Sequence, residues 1–211
     1  MMKHKHFIDF HKGITFLYIL FLIGCYNAYQ NITIWVYLGL HGTYGILWIL
    51  KSVVFPDKSW EQKSSLIYGL FILSGLSLYW ISPWIIVSGY FNGGVMVDVP
   101  LWVISLVISL FGMGVFFHFS SDMQKYTSLK LKPGNLIVDG LFSKSRNINY
   151  FGELLIYLSF AILSMHWIPF MVLFVFILLV WVPNIIKKDK SLSRYENFED
   201  YKNRSNIFWP L

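Results

Sequence analysis

Between Lys12 and Lys51 the chain carries no charged side chain. A helix needs roughly 20 apolar residues to cross the hydrocarbon core of a bilayer, so this stretch is about long enough for two. The polar group Tyr26-Asn27-Ala28-Tyr29-Gln30-Asn31 divides it, which predicts one span over 14–29 and a second over 32–55. A third is expected over 66–90, kinked or ended by Pro83, and a fourth over 101–119, reached through the turn-rich segment 89–100. Residues 154–186 are again free of charge; Ser164-Met165-His166-Trp167 and Pro169 at their centre predict a hairpin of two more spans. The expected fold is all-α, a polytopic membrane protein of about six transmembrane helices.

Composition agrees with the pattern. The chain is 56% hydrophobic and 13% charged, with a mean hydropathy of +0.56. Soluble chains carry roughly 25% charged residues, so this one lacks the polar surface to coat a globule. That excludes an ordinary soluble enzyme, a disordered chain and a nucleic-acid-binding domain, and the net charge of +6 does not alter this. With six spans, all 17 Lys and Arg fall on one side: the N-terminus, the link after the second span, the 120–146 segment and the tail from Lys187. The positive-inside rule then places both termini in the cytoplasm, under a bacterial inner membrane or an endoplasmic reticulum. Met1–Gly24 resembles a signal peptide in having cations before an apolar run, but it lacks a small-residue cleavage site and is expected to be retained. A single cysteine, Cys25, allows no disulfide within the chain and no cysteine-based metal centre.

The cytoplasmic segments hold the chemistry-bearing side chains. Asp122, Lys125, Arg146, Asn149, Tyr150, Glu153, Tyr201 and Arg204 lie there, and the hairpin over 154–186 is expected to bring the 112–153 segment and the tail to one membrane face. Cations so placed suit a phosphate-bearing cofactor. They also suit solvation and anionic lipid heads.

Asp139-Gly-Leu-Phe-Ser-x-Ser-Arg146 followed by Asn149-Tyr-Phe-Gly-Glu153 resembles the C-terminal domain of the steroid 5-alpha-reductases and a related bacterial domain family of unknown function. Asp122-x-Gln124-Lys125, Lys132-Pro133 and the tail Phe198-Glu-Asp-Tyr201 with Arg204 and Pro210 fit the same pattern, so the resemblance covers residues 112–211. The wider superfamily includes the isoprenylcysteine carboxyl methyltransferases, which bind S-adenosylmethionine. The reductase resemblance implies an NADPH site, with Asn149 and Glu153 at the nicotinamide end. Asp122, Lys125, Arg146, Tyr150, Tyr201 and Arg204 would hold the rest of the cofactor. It also divides the single membrane domain into substrate-side spans over 1–111 and a cofactor-binding part over 112–211. Arg146-Asn147-Ile148 stands where the methyltransferases have Arg-His-Pro, which favours reduction over methyl transfer.

The reductases carry a Gln-Glu pair in an early span to protonate the substrate carbonyl, and no carboxylate stands here between Lys12 and Lys51. His41 and Tyr44, three apart on one helix face, are the expected proton donors. Interhelical hydrogen bonding alone is the competing role for them. Gly39, Gly42 and Gly45 are expected to admit a neighbouring helix or ligand. His118 is expected to be structural or to adjoin the cofactor, and no histidine spacing predicts a metal site. The sequence thus points to a reductase that takes an apolar lipid or sterol-like substrate from the bilayer. Methyl transfer and non-catalytic lipid binding are the alternatives.

Overall fold

A computed structural model describes residues 2–210 of the chain. It is all-helical: α1 (His4–Cys25), α2 (Ile32–Val54), α3 (Leu66–Ser77), α4 (Ile81–Ser88), α5 (Leu101–Leu131), α6 (Ile148–Leu163), α7 (Trp167–Phe176), α8 (Val182–Leu192) and α9 (Phe198–Arg204). A 3-10 turn, Leu78–Trp80, joins α3 to α4, and a π-helical turn, Ile177–Trp181, joins α7 to α8. Both breaks precede a proline. Pro83 and Pro183 have no N–H to donate four residues back, and the helix changes its winding at that point.

Five runs are long and apolar enough to cross a membrane: His4–Cys25, Ile32–Val54, Leu66–Ser88, Leu101–Leu131 and Trp167–Leu192. They mark an integral membrane protein. The sixth apolar helix, α6, has 16 residues. It rises about 24 Å, short of the roughly 30 Å hydrocarbon core. The expected hairpin is present, turning through Ser164, Met165 and His166, with Met165 at φ 48.

Two boundaries differ from expectation. The first helix starts at His4 rather than near residue 14. Asp9, His11 and Lys12 therefore sit within it, where Ser52 and the rings of Trp80 and Tyr44 receive them. The fourth span runs on through the polar residues 120–131. No Gly or Pro occurs there before Pro133, and Met, Gln, Lys and Leu are good helix formers.

The chain divides into two compact units, Met1–Phe111 with Leu158–Val172, and Gly112–Tyr157 with Leu173–Leu211. In the first, α1 and α2 cross closely. A Cβ at Gly45 would lie 2.5 Å from the Lys12 carbonyl oxygen, and one at Gly42 would lie 2.7 Å from the Phe16 ring, whereas Gly39 faces open space. The N-terminus docks on the link after α2: His4 N donates to Gln62 O (3.1 Å), Lys5 N to Trp60 O (3.0 Å), and Glu61 pairs with Lys3 and Lys5. Asn31 caps α2 through Ile34 N (2.9 Å) and also donates to Val97 O (2.8 Å), while Thr33 Oγ1 accepts from Val99 N. The segment before α5 is thereby tied to the start of α2.

In the second unit α5 and α6 meet through glycine. A Cβ at Gly152 would lie 2.4 Å from His118 N and 2.7 Å from Gly114 O, both backbone atoms that cannot swing away. Gly152→Ala is therefore expected to cost about 1–3 kcal/mol, the usual range for overpacking. Gly112→Ala, which meets nothing within 4 Å, should hold or slightly raise the melting temperature, because alanine is the better helix former. Thermal melts of the two variants in detergent check this.

Candidate functional site

The polar residues of the second unit converge on the start of α6. From the segment before it, Arg146 is 3% exposed, and each of its three nitrogens meets an acceptor. Nε and Nη2 grip the Asp189 carboxylate of α8 at 3.0–3.2 Å, and Nη1 donates to Ser205 O (2.6 Å) and Ser205 Oγ (3.1 Å) beyond α9. The backbone around it adds Arg146 N to Asn206 O (2.9 Å) and Asn206 N to Lys144 O (2.8 Å). Ser145 Oγ donates to Phe208 O, and Asn147 Nδ2 to Ile207 O. Tyr201, fully buried, donates its hydroxyl to Phe142 O at 2.6 Å.

Gln124 of α5 closes the other side of this loop. Its side chain donates to Asp139 O (2.7 Å) and accepts from Leu141 N (3.1 Å). A Cβ at Gly140, whose φ is 57, would lie 2.8 Å from the Gln124 amide, so glycine is needed there on both counts.

Lys188 of α8 donates to Arg146 O (2.5 Å) and lies close enough to Asp122, Lys125, Asp189 and Arg146 for their charges to act on it. The expected cofactor residues Asp122, Lys125 and Arg146 are thus gathered around one lysine that the sequence reading had not singled out. His118, 3% exposed, lies one turn before Asp122 on α5. Its Nδ1 is 3.1 Å from Asn149 O, and a carbonyl only accepts, so Nδ1 carries the proton. Its Nε2 is 3.8 Å from Asp122 Oδ2. Asn149 and Glu153 sit one turn apart at the start of α6, and the Tyr150 ring lies tilted against Trp181, 5.4 Å between centroids. The side-chain oxygen of Asn149 is buried with no hydrogen-bond donor. Arg204, on α9, is exposed.

His41 and Tyr44 lie in the first unit, both buried on one face of α2 with Tyr37. The His41 ring lies flat on Phe160 (4.3 Å, 4°), and its Nδ1 is 3.1 Å from the Tyr37 hydroxyl. Lys12, 2% exposed, puts its ammonium 4.4 Å from the Tyr44 ring centre. As the last charge before an apolar run, Lys12 reads as an ordinary flanking cation, and only the early start of α1 brings it inside. His11 is 2% exposed and stacks on Trp80 at 5.0 Å, and neither of its ring nitrogens has a hydrogen-bond partner. No group of three His, Cys, Asp or Glu that could hold a metal ion occurs among the described residues.

These features define a polytopic helical membrane protein whose second unit concentrates buried charge at the start of one apolar helix. The chain belongs to the protein family of unknown function DUF1295, whose model matches residues 55–205. No curated protein and no solved structure matches it.

Two outcomes follow from this geometry. Arg146→Ala leaves Asp189, 23% exposed, without its partner and should cost about 2–3 kcal/mol, less than a fully buried pair because water reaches the carboxylate. The tail should loosen, read as faster tryptic cleavage after Lys202 and Arg204. Burial pushes the Tyr201 phenol up to about 12, against the opposing pull of Arg146 and Arg204. In the unfolded chain it ionises near pH 10. Its contribution to stability is therefore complete below pH 10 and lost as pH rises to about 12. Over that range the melting temperature of the wild type should fall further than that of Tyr201→Phe.

Proposed function

We propose that this chain is an integral membrane oxidoreductase, related to the steroid 5-alpha-reductases, that uses NADPH to reduce an activated double bond in an apolar lipid or sterol-like substrate. The observation that carries this reading is the side-chain oxygen of Asn149, which is buried and met by no donor. An acceptor left so at the start of a helix suits a carboxamide N–H, the group a nicotinamide ring presents. The other expected residues divide in two. Arg146 spends its nitrogens on the tail, and Tyr201, from the tail, spends its hydroxyl on Phe142 O; their part is to shape the site. Asp122 and Lys125 beside Lys188, with the exposed Arg204, are the groups for ribose and phosphate.

When bound, NADPH supplies a hydride, and reduction of a double bond also requires a proton. We assign that proton to His41 and Tyr44, both buried in the first unit, with the Tyr37 hydroxyl 3.1 Å from the imidazole Nδ1 to orient it. Phe160 covers the His41 ring, so a substrate carbonyl reaches it only by displacing that phenyl ring. In this reading α6 completes a six-span topology with both termini in the cytoplasm. Single cysteines placed in a Cys25→Ser background and labelled from each side check that arrangement.

Thermal shift of the detergent-purified protein tests the cofactor. A ligand at 100 times its dissociation constant adds about 2.7 kcal/mol of apparent stability. NADPH is expected to raise the melting temperature, and S-adenosylmethionine to leave it unchanged. A shift with S-adenosylmethionine alone would reverse the assignment to methyl transfer, and a shift with neither would indicate lipid binding without chemistry. Asn149→Ala should weaken NADPH about three- to tenfold, the worth of one hydrogen bond. His41→Ala combined with Tyr44→Phe should abolish turnover while leaving NADPH binding intact.

A further inference from the structure

At the end of the first unit away from the docked N-terminus, a cavity of about 270 Å³ opens between the 89–100 segment and the Ser164–His166 turn. Its apolar floor is Ile85 and Val97, both buried, and Phe91, Asn92, Asp98 and His166 also line it. That volume is far beyond the roughly 10–15 Å³ that one water needs. It suits a small polar headgroup rather than a whole lipid.

The electrostatics of this end are simple. Asp98 is the only charged residue between Lys63 and Asp122, and none occurs between Glu153 and Lys187 or in the 26–31 loop. One negative charge therefore stands here with no cation beside it in sequence, which favours a ligand that brings its own. His166 supplies the complement. Ile168 N donates to its Nδ1 at 3.3 Å, so the neutral ring carries its proton on Nε2 and is a donor. The ring is held by stacking on Phe91 at 4.4 Å and 23°. Asn92 is spent on Val95 O, which fixes the loop. Tyr90, Trp102 and Trp167 are exposed around these turns, the placing of aromatic residues at the level of lipid headgroups.

We propose that this cavity binds an ammonium–phosphate group, as offered by the ethanolamine headgroup of a phospholipid, with the ammonium on Asp98 and a phosphate oxygen on the Nε2–H of His166. An anionic headgroup would meet Asp98 without a cation to hold it. A choline headgroup has no N–H to give the carboxylate. The site is independent of the reductase reading, since it shares no residue with the cofactor cluster or with His41 and Tyr44.

The test titrates the full chain in detergent with dihexanoyl phosphatidylethanolamine, phosphatidylcholine and phosphatidylglycerol, and with free O-phosphoethanolamine, by thermal shift. The ethanolamine lipid is expected to bind about fivefold tighter than the other two, the worth of one partly exposed ion pair. Asp98→Asn should erase that preference and Asp98→Glu should keep it. His166→Phe, which preserves the stack on Phe91, should weaken the ethanolamine and choline lipids alike. Binding of free O-phosphoethanolamine as tight as that of its lipid would support the site and assign it to a soluble aminophosphate. Equal affinity for all three lipids would overturn the proposal. So would an unchanged preference in an Asp98→Asn protein that keeps its helical circular dichroism.

Discussion

A guanidinium taken almost wholly out of water has to find an acceptor for each of its nitrogens, or the chain cannot fold around it. Arg146 meets that demand with Asp189 on α8 and with Ser205 beyond α9, two segments it reaches across 43 and 59 residues of sequence. Once it is in place, the paired backbone of Lys144 and Asn206 and the side chains of Ser145 and Asn147 align the tail without further choice. The tail in turn delivers Phe208 and Trp209 to the ring of Phe151 on α6. A hydrophilic tail with few apolar residues is thereby held by one buried charge and a short ladder of main-chain bonds. Hydrophobic burial alone would not hold it.

A comparable constraint shapes the first unit. Helices among lipid tails gain little from hydrophobic association, so close approach and buried polar groups decide how they pack. Gly45 lets α2 come against the Lys12 carbonyl, and the Lys12 ammonium then lies on the faces of Tyr44 and Trp48, where the ring quadrupole offsets part of its lost hydration. Trp80 stacks on the uncharged face of the His11 ring and also donates to Thr15. The aromatic residues of this chain, 19% of the total, are therefore as much the solvent for buried cations as they are apolar filler.

The helices were largely legible because the signal behind them is coarse: length, absence of charge, and breaks at Pro and at polar clusters. Boundaries failed where a charged residue belonged inside. Lys12 reads as a flanking cation because sequence shows its charge and not the two rings on α2 that receive it. Residues 120–131 read as a polar segment because hydropathy measures solvent preference, while the helix there continues on backbone propensity. Of the site, the motif positions could be read in advance, but their division of labour could not. Whether Arg146 faces a ligand or its own tail depends on Asp189 and Ser205, partners set by the fold and by no local spacing. Lys188 escaped notice for the same reason, being one of several cations at the end of an apolar run.

That division narrows where chemistry in the second unit has to be sought. Gln124 and Gly140 close a loop, Arg146 and Tyr201 hold the tail, and Gly152 lets α5 and α6 touch. Each of these motif residues is explained by what it does for the fold. The side-chain oxygen of Asn149 is not, since it is buried, able to accept, and met by no donor of the chain. The Asn147 oxygen is unmet as well, but the nitrogen of that amide is committed to Ile207 O in the tail. An acceptor left over after the folding roles are assigned is where a ligand's N–H has most to gain. In this unit Asn149 therefore points to a ligand more directly than the charges that make the region conspicuous.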